Sequence, residues 1–236
     1  MTDLSALFSQ QAYVMDEQKS KDERINKINE TIKDTGFKAN SEKSNRDMLY
    51  LQNDKGQTHI AVKGTSNKQD VGTDLFLALG AEKHNKHFKK KTNRINNLVK
   101  KTIADDPTQE IFLSGHSLGG SVVNDAMKNK KTVRENVTAN TFNAGASPFT
   151  KKASKKVEKE LKDGRLTNHR ITTDAVSVSS AVNPLAGNTK TYKPKQNKHI
   201  KKVPKFLNHV FDTVEQLRVH SIDNFVKDKY IKKNKK

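Results

Sequence analysis

The 236-residue sequence predicts an α/β fold in which a mostly parallel central sheet carries helices on both faces. Three observations lead there. From residue 110 onward, strand-like and helix-period segments follow one another as strand, helix, strand, helix, strand, the pattern of parallel strands joined by helical crossovers. The pentapeptide Gly115-His116-Ser117-Leu118-Gly119 sits directly between the first of these strands and its helix, where a tight reversal is needed. The length suits one domain with a single large core, and cysteine is absent, so packing rather than disulfides must hold it together.

Along the chain, residues 1–35 read as two helical segments joined near Lys19 to Asp22, because Ile25, Ile28 and Ile32 recur at three- and four-residue spacing. Residues 47–52 and 58–63 are strand-like and flank Asn53-Asp54-Lys55-Gly56, a turn signal, so a β-hairpin is expected. In 85–101, Phe88, Ile95, Leu98 and Val99 recur at helical spacing, and the helix should stop near Asp105-Asp106-Pro107. Strands are expected at 110–114, 138–143 and 168–173, with helices at 120–127 and 154–162. Beyond Asp174 the pattern loosens into 177–180, a turn at 184–187, a lysine-rich stretch and an apolar helix-like segment at 206–217, and no strand is read there. The expected organisation is a helical lead-in at 1–40, the α/β domain at 41–228 and a basic tail at 229–236.

The net charge of +19 comes from lysine runs spread over the chain, among them 89–91, 128–131, 155–156 and 232–236. Such a field attracts polyanions, with nucleic acid and anionic lipid headgroups as candidates. Aromatic residues make up 6% of the chain, and no basic stretch is interleaved with stacking rings, which disfavours nucleic acid. No cysteine and histidine spacing suits a metal, and no cofactor is expected. The longest apolar run, 75–79, is far below the roughly 20 residues that cross a bilayer. The opening residues lack a basic start followed by an apolar stretch, so no signal peptide is expected. A cytoplasmic or particle-associated location with peripheral membrane contact is the expectation.

Ser117 is the candidate nucleophile. A strand that turns into a helix within one residue strains the backbone at the serine and leaves little room two positions to either side, where Gly115 and Gly119 stand. The following helix aims its N-terminal amides at the reacting centre. A serine hydroxyl needs a histidine base and a carboxylate to orient it. Asp174 follows the strand at 168–173, at the end of a parallel sheet where functional groups gather. Of the later histidines, His220 near the chain end is the candidate base and His209 its alternate. His116, inside the pentapeptide, is expected to pack.

With these blocks in place the sequence resembles the class 3 lipases, the fungal-type triacylglycerol lipase and phospholipase A1 group of α/β hydrolases, over residues 45–226. The matching pieces are Ile60-Ala61-Val62-Lys63-Gly64-Thr65, Asp70-Val71-Gly72-Thr73-Asp74-Leu75, His87-Phe88, Gly115 to Gly120, Thr141 to Pro148, Asp174-Ala175-Val176 and a terminal histidine. The resemblance implies an α/β-hydrolase fold and an oxyanion hole formed by Thr65 and the N–H of Leu118. It also implies a lid over residues 70–83 that includes Asp70, Asp74, Leu75, Phe76 and Leu77; a buried helix packing on the sheet is the other reading of that run. Lys63, Val71 and Ser177 depart from the family's usual arginine, tryptophan and proline, which leaves the substrate class open between acylglycerols and phospholipids. The alternative is a non-catalytic basic protein on the same scaffold, binding nucleic acid or part of a particle.

Overall fold

The computed structural model describes residues 1–64, 82–129, 132, 135–146, 152–174, 185–193 and 220–227, with side chains in the helix at 82 described from residue 86. Thr65, residues 70–81 of the lid segment, His209, the 206–217 segment and the basic tail lie outside the described residues.

Among the described residues, seven strands form one sheet in sequence order: β1 (Phe37–Ala39), β2 (Met48–Asn53), β3 (Thr58–Val62), β4 (Ile111–His116), β5 (Val137–Phe142), β6 (Leu166–Ile171) and β7 (Asn188–Tyr192). β1, β2 and β3 pair antiparallel, and every pair from β3 to β7 is parallel. The β2–β3 hairpin closes through Gly56, whose φ of 75° lies in the left-handed region that an L side chain resists. β1 places an edge strand within the segment read as a helical lead-in. β7 is a second departure from the sequence reading, because 188–192 had not been read as a strand. Its one large apolar side chain is Tyr192, and most of the strand is exposed; an edge strand with no face to bury leaves no alternating pattern.

Among the described residues, five helices cover the sheet: α1 (Thr2–Gln11), α2 (Lys21–Ile32), α3 (Glu82–Asp105), α4 (Leu118–Met127) and α5 (Lys155–Glu160). Successive residues of a strand point to opposite faces, and the core divides accordingly. Met48, Tyr50, Ile60, Val62, Ile111 and Leu113 pack with α3, α4 and α5. Leu49, Leu51, Ala61 and Phe142 pack with Leu7, Phe8, Ile25, Ile28 and Ile32 from α1 and α2. α2 begins with a capping box, in which the Ser20 hydroxyl accepts from Glu23 N–H and the Glu23 carboxylate accepts from Ser20 N–H. α1 runs into a 3₁₀ turn, Ala12–Asp16, that reaches the C-terminal end of β3 through an ion pair between Lys63 and Asp16 at 2.8 Å.

On the α4 side, Asn168 ties four elements together. Its Nδ2 donates to the carbonyls of Ala186 (2.7 Å) and Asn188 (3.1 Å), and its Oδ1 accepts from Asn124 Nδ2 (3.0 Å) and Thr141 Oγ1 (2.7 Å). A buried amide with its bonding capacity filled costs little in desolvation and fixes the register of its neighbours. The network joins α4, β5 and β6 to the start of β7, where parallel edge pairing alone is weak.

Candidate active site

Ser117 stands alone between β4 and α4, with φ 56° and ψ −128°. A serine at positive φ is strained, and the strain persists because the surroundings determine it. Its N–H donates to the Phe142 carbonyl at 2.9 Å, and its carbonyl accepts from Ser121 N–H at 3.1 Å, so β5 holds one side of the turn and α4 the other. A Cβ on Gly115 would lie 2.5 Å from the Gly119 carbonyl, and one on Gly119 would overlap the Val62 carbonyl oxygen. Only glycine lets strand, helix and β3 approach so closely. α4 starts at Leu118, and the amides of its first turn have no intrahelical acceptor, leaving partial positive charge beside Ser117.

Asp174 and His220 come together. Asp174 lies just past β6, its N–H bonded to the Ile171 carbonyl at 3.1 Å, and its Oδ1 accepts from His220 Nδ1 at 2.8 Å. Ser117, Asp174 and His220 are 4%, 0% and 5% exposed. His220 Nε2 is buried and, among the described residues, has no hydrogen-bond partner. The Nδ1 contact to a carboxylate places the proton of a neutral imidazole on Nδ1, leaving Nε2 as the basic nitrogen.

His116 does more than pack, contrary to the sequence expectation. Its ring centroid lies 4.8 Å from that of His220, its Nε2 is 2.6 Å from the His220 carbonyl oxygen and its Nδ1 is 2.8 Å from the Tyr13 hydroxyl. Burial, with the neighbouring His220 adding to it, lowers its pKa to about 3, so the ring stays neutral. Asn143, at φ 43°, donates from Nδ2 to the same carbonyl at 3.1 Å. Neither Tyr13 nor Asn143 was singled out from the sequence. Tyr13 is 103 residues from its partner, and only an aromatic residue in the turn after α1 marks it. Leu118 is half-buried at the start of α4, and Thr65 lies outside the described residues. Among the described residues no group of acidic, histidine or cysteine side chains could hold a metal ion, and no helix is long and apolar enough to cross a membrane.

No protein-family model matches the sequence, and no curated protein matches it. Several solved structures are similar in fold. The M37 lipase superposes with a TM-score of 0.56 at 12% identity, covering 96% of this chain and 81% of that one. Lipase II from Rhizopus niveus gives 0.46 at 15% identity over 67% of this chain and 65% of its own, so this chain spans a little under two thirds of that lipase's length. The Lip2 lipase from Yarrowia lipolytica gives 0.45 at 15% identity, covering 66% of each chain. With the strand order and the turn at Ser117, the likeness to the M37 lipase places the architecture in the α/β-hydrolase fold.

Proposed function

We propose that this protein is a serine hydrolase that cleaves carboxylic esters of lipids through an acyl-enzyme. The observation that carries the reading is the hydrogen-bonded Asp174–His220 pair, set against His116 beside the strained turn that holds Ser117, with His220 Nε2 buried and without a partner among the described residues. In this reading the Ser117 hydroxyl attacks the ester carbonyl carbon while His220 Nε2 takes its proton, and Asp174 stabilises the imidazolium that results. The negative charge on the tetrahedral oxygen meets the Leu118 N–H and, by the resemblance, Thr65. Each donor of such a hole is worth about 10²- to 10³-fold in rate. The protonated His220 then gives its proton to the leaving alcohol. Water, activated by the same nitrogen, releases the acyl group and restores Ser117.

The chemical class follows from the serine; the substrate follows from charge. α3 buries Phe88, Ile95 and Val99 and exposes Lys89, Lys90, Arg94, Lys100 and Lys101, and α5 exposes Lys155, Lys156 and Lys159. A basic face of this kind favours an anionic lipid surface, which supports acylglycerol or phospholipase A1-like substrates in a peripheral setting. The domain is proposed to span 41–228, with 1–40 as its lead-in. The charge of +19 also favours a second reading, a non-catalytic polyanion-binding protein; a buried acid–histidine pair beside a strained serine weighs against it. Turnover of a short-chain p-nitrophenyl ester, measured beside hydrolysis of phosphatidylglycerol vesicles, tests the proposal. Release of fatty acid and nitrophenol by wild type supports it, and salt-sensitive nucleic-acid binding with neither turnover overturns it.

A further inference from the structure

We propose that Tyr13, His116 and Asn143 form a bracket on the main-chain carbonyl of His220, and that this bracket sets where the His220 imidazole points. The inference rests on the hydrolase reading above and names positioning residues for it. A carbonyl oxygen only accepts hydrogen bonds, so the 2.6 Å contact from His116 Nε2 requires the His116 proton on that nitrogen. His116 Nδ1 is then the lone-pair nitrogen and must accept from the Tyr13 hydroxyl at 2.8 Å. The direction of the chain is thereby settled: Tyr13 O–H to His116 Nδ1, and His116 Nε2–H to the carbonyl of His220. Asn143 adds the second donor to that carbonyl, and its orientation is settled too. Its Oδ1 accepts from Ile171 N–H at 2.8 Å, so Nδ2 is the group facing His220.

Both ends of the chain have the protonation it needs. Burial keeps His116 neutral. Burial also raises the pKa of the Tyr13 hydroxyl well above its ordinary value, partly offset by the backbone of Gly64, so the hydroxyl keeps its proton. His220 is helical in conformation, is followed by a 3₁₀ turn, Ile222–Asn224, and belongs to none of the seven strands. The bond to Asp174 holds one ring nitrogen, and the two donors on the carbonyl hold the backbone from which the ring projects. Tyr13 is wedged where this matters. A Cβ on Gly64 would lie 2.5 Å from the Tyr13 hydroxyl, 2.7 Å from the His116 carbonyl oxygen and 3.2 Å from the Ser117 Cβ. With the Asp16–Lys63 ion pair, the N-terminal segment thus helps to position the His220 ring.

The test has two parts. Long-range ¹H–¹⁵N spectra of the histidine rings in the wild-type protein, assigned with His116→Gln, should show His116 neutral with its proton on Nε2 at pH 7 and still at pH 5; a proton on Nδ1, or a doubly protonated ring, overturns the bracket. Tyr13→Phe, which keeps the ring and removes the hydroxyl, should lower kcat on a soluble p-nitrophenyl ester by about tenfold with KM little changed, as expected when a reacting group is misplaced rather than removed. His116 should keep its proton on Nε2, which the His220 carbonyl requires, while the thermal midpoint stays near that of wild type. His116→Gln combined with Tyr13→Phe should be no worse than His116→Gln alone. Unchanged kcat in Tyr13→Phe overturns the inference. A wild-type protein that turns over no ester sinks the hydrolase reading instead, and the ring spectra still decide the bracket.

Discussion

His220 Nδ1 and Asp174 Oδ1 stand 2.8 Å apart across 46 residues of sequence, in a setting that leaves both side chains almost wholly buried. An imidazole so held can turn only one face to a reactant, and the free nitrogen on that face, Nε2, is the one with no partner among the described residues. A buried acid–histidine pair is strongly destabilising when one partner is removed, and a fold has little reason to keep one without a use for it.

Asp174→Asn and His220→Ala should each lower ester turnover by several orders of magnitude, and combining either with Ser117→Ala should cost no more than Ser117→Ala alone, because in the proposed mechanism the three act as one unit. Turnover of a p-nitrophenyl ester measures this. His209→Ala should leave turnover within a few-fold of wild type; a silent His220→Ala with a damaging His209→Ala would assign the base to His209.

Acid should destabilise the fold through its buried histidines. Burial lowers His59 and His116 to about 3 and His169 to about 4. Each pKa is lower in the folded than in the unfolded chain, so the unfolded state binds more protons below the unfolded value of about 6.5. The stabilisation is therefore fully present above that pH and is lost as pH falls toward 3 to 4. At pH 5 the loss is on the order of 2 kcal/mol per histidine. Urea unfolding at pH 7 and pH 5 should show a lower midpoint at pH 5, and equal midpoints would contradict the assignment of neutral buried rings.

Asn168→Leu should destabilise by about 3 kcal/mol, since it strips partners from Asn124, Thr141 and the carbonyls of Ala186 and Asn188 at once. A fall in the urea midpoint at unchanged slope is the expected signature. A loss below about 1 kcal/mol, the net worth of one ordinary hydrogen bond, would mean that water replaces the amide.

Vesicles containing phosphatidylglycerol should bind the protein and be hydrolysed faster than zwitterionic ones, because each basic side chain near an anionic leaflet is worth about 1 kcal/mol. The preference should fade as salt shortens the Debye length from about 10 Å at 0.1 M to about 3 Å at 1 M. Turnover of a soluble ester should barely change over the same range. Co-sedimentation beside a DNA shift assay at matched salt separates lipid from nucleic acid, and tight DNA binding without vesicle preference would favour the non-catalytic reading.

Local chemistry made much of the fold readable. The hairpin follows from a turn signal between two strand-like runs, and the parallel strands β4, β5 and β6 from apolar residues bounded by helical periods. The turn at Ser117 could be read because its glycines answer a steric demand that few other sequences meet: Gly115 and Gly119 leave no space for a Cβ. β7 could not, since Asn188-Thr189-Lys190-Thr191-Tyr192 buries almost nothing and earns its place by backbone pairing with β6 and by the Asn168 amide. For the site, residue types and their order along the chain were legible, whereas contact was not. No local pattern announces that Tyr13 reaches His116 or that Asn143 reaches the carbonyl of His220, because each contact is made only when segments distant in sequence meet at the C-terminal ends of β4 and β5.

The most direct test of the hydrolase reading is labelling of the wild-type protein with a fluorophosphonate, which reacts only with a serine activated by a neighbouring base, followed by mass spectrometry of the modified peptide. The label should fall on Ser117 alone, at a rate that Asp174→Asn and His220→Ala both suppress. An unlabelled protein, or a label on another serine with ester turnover intact in Ser117→Ala, would contradict it.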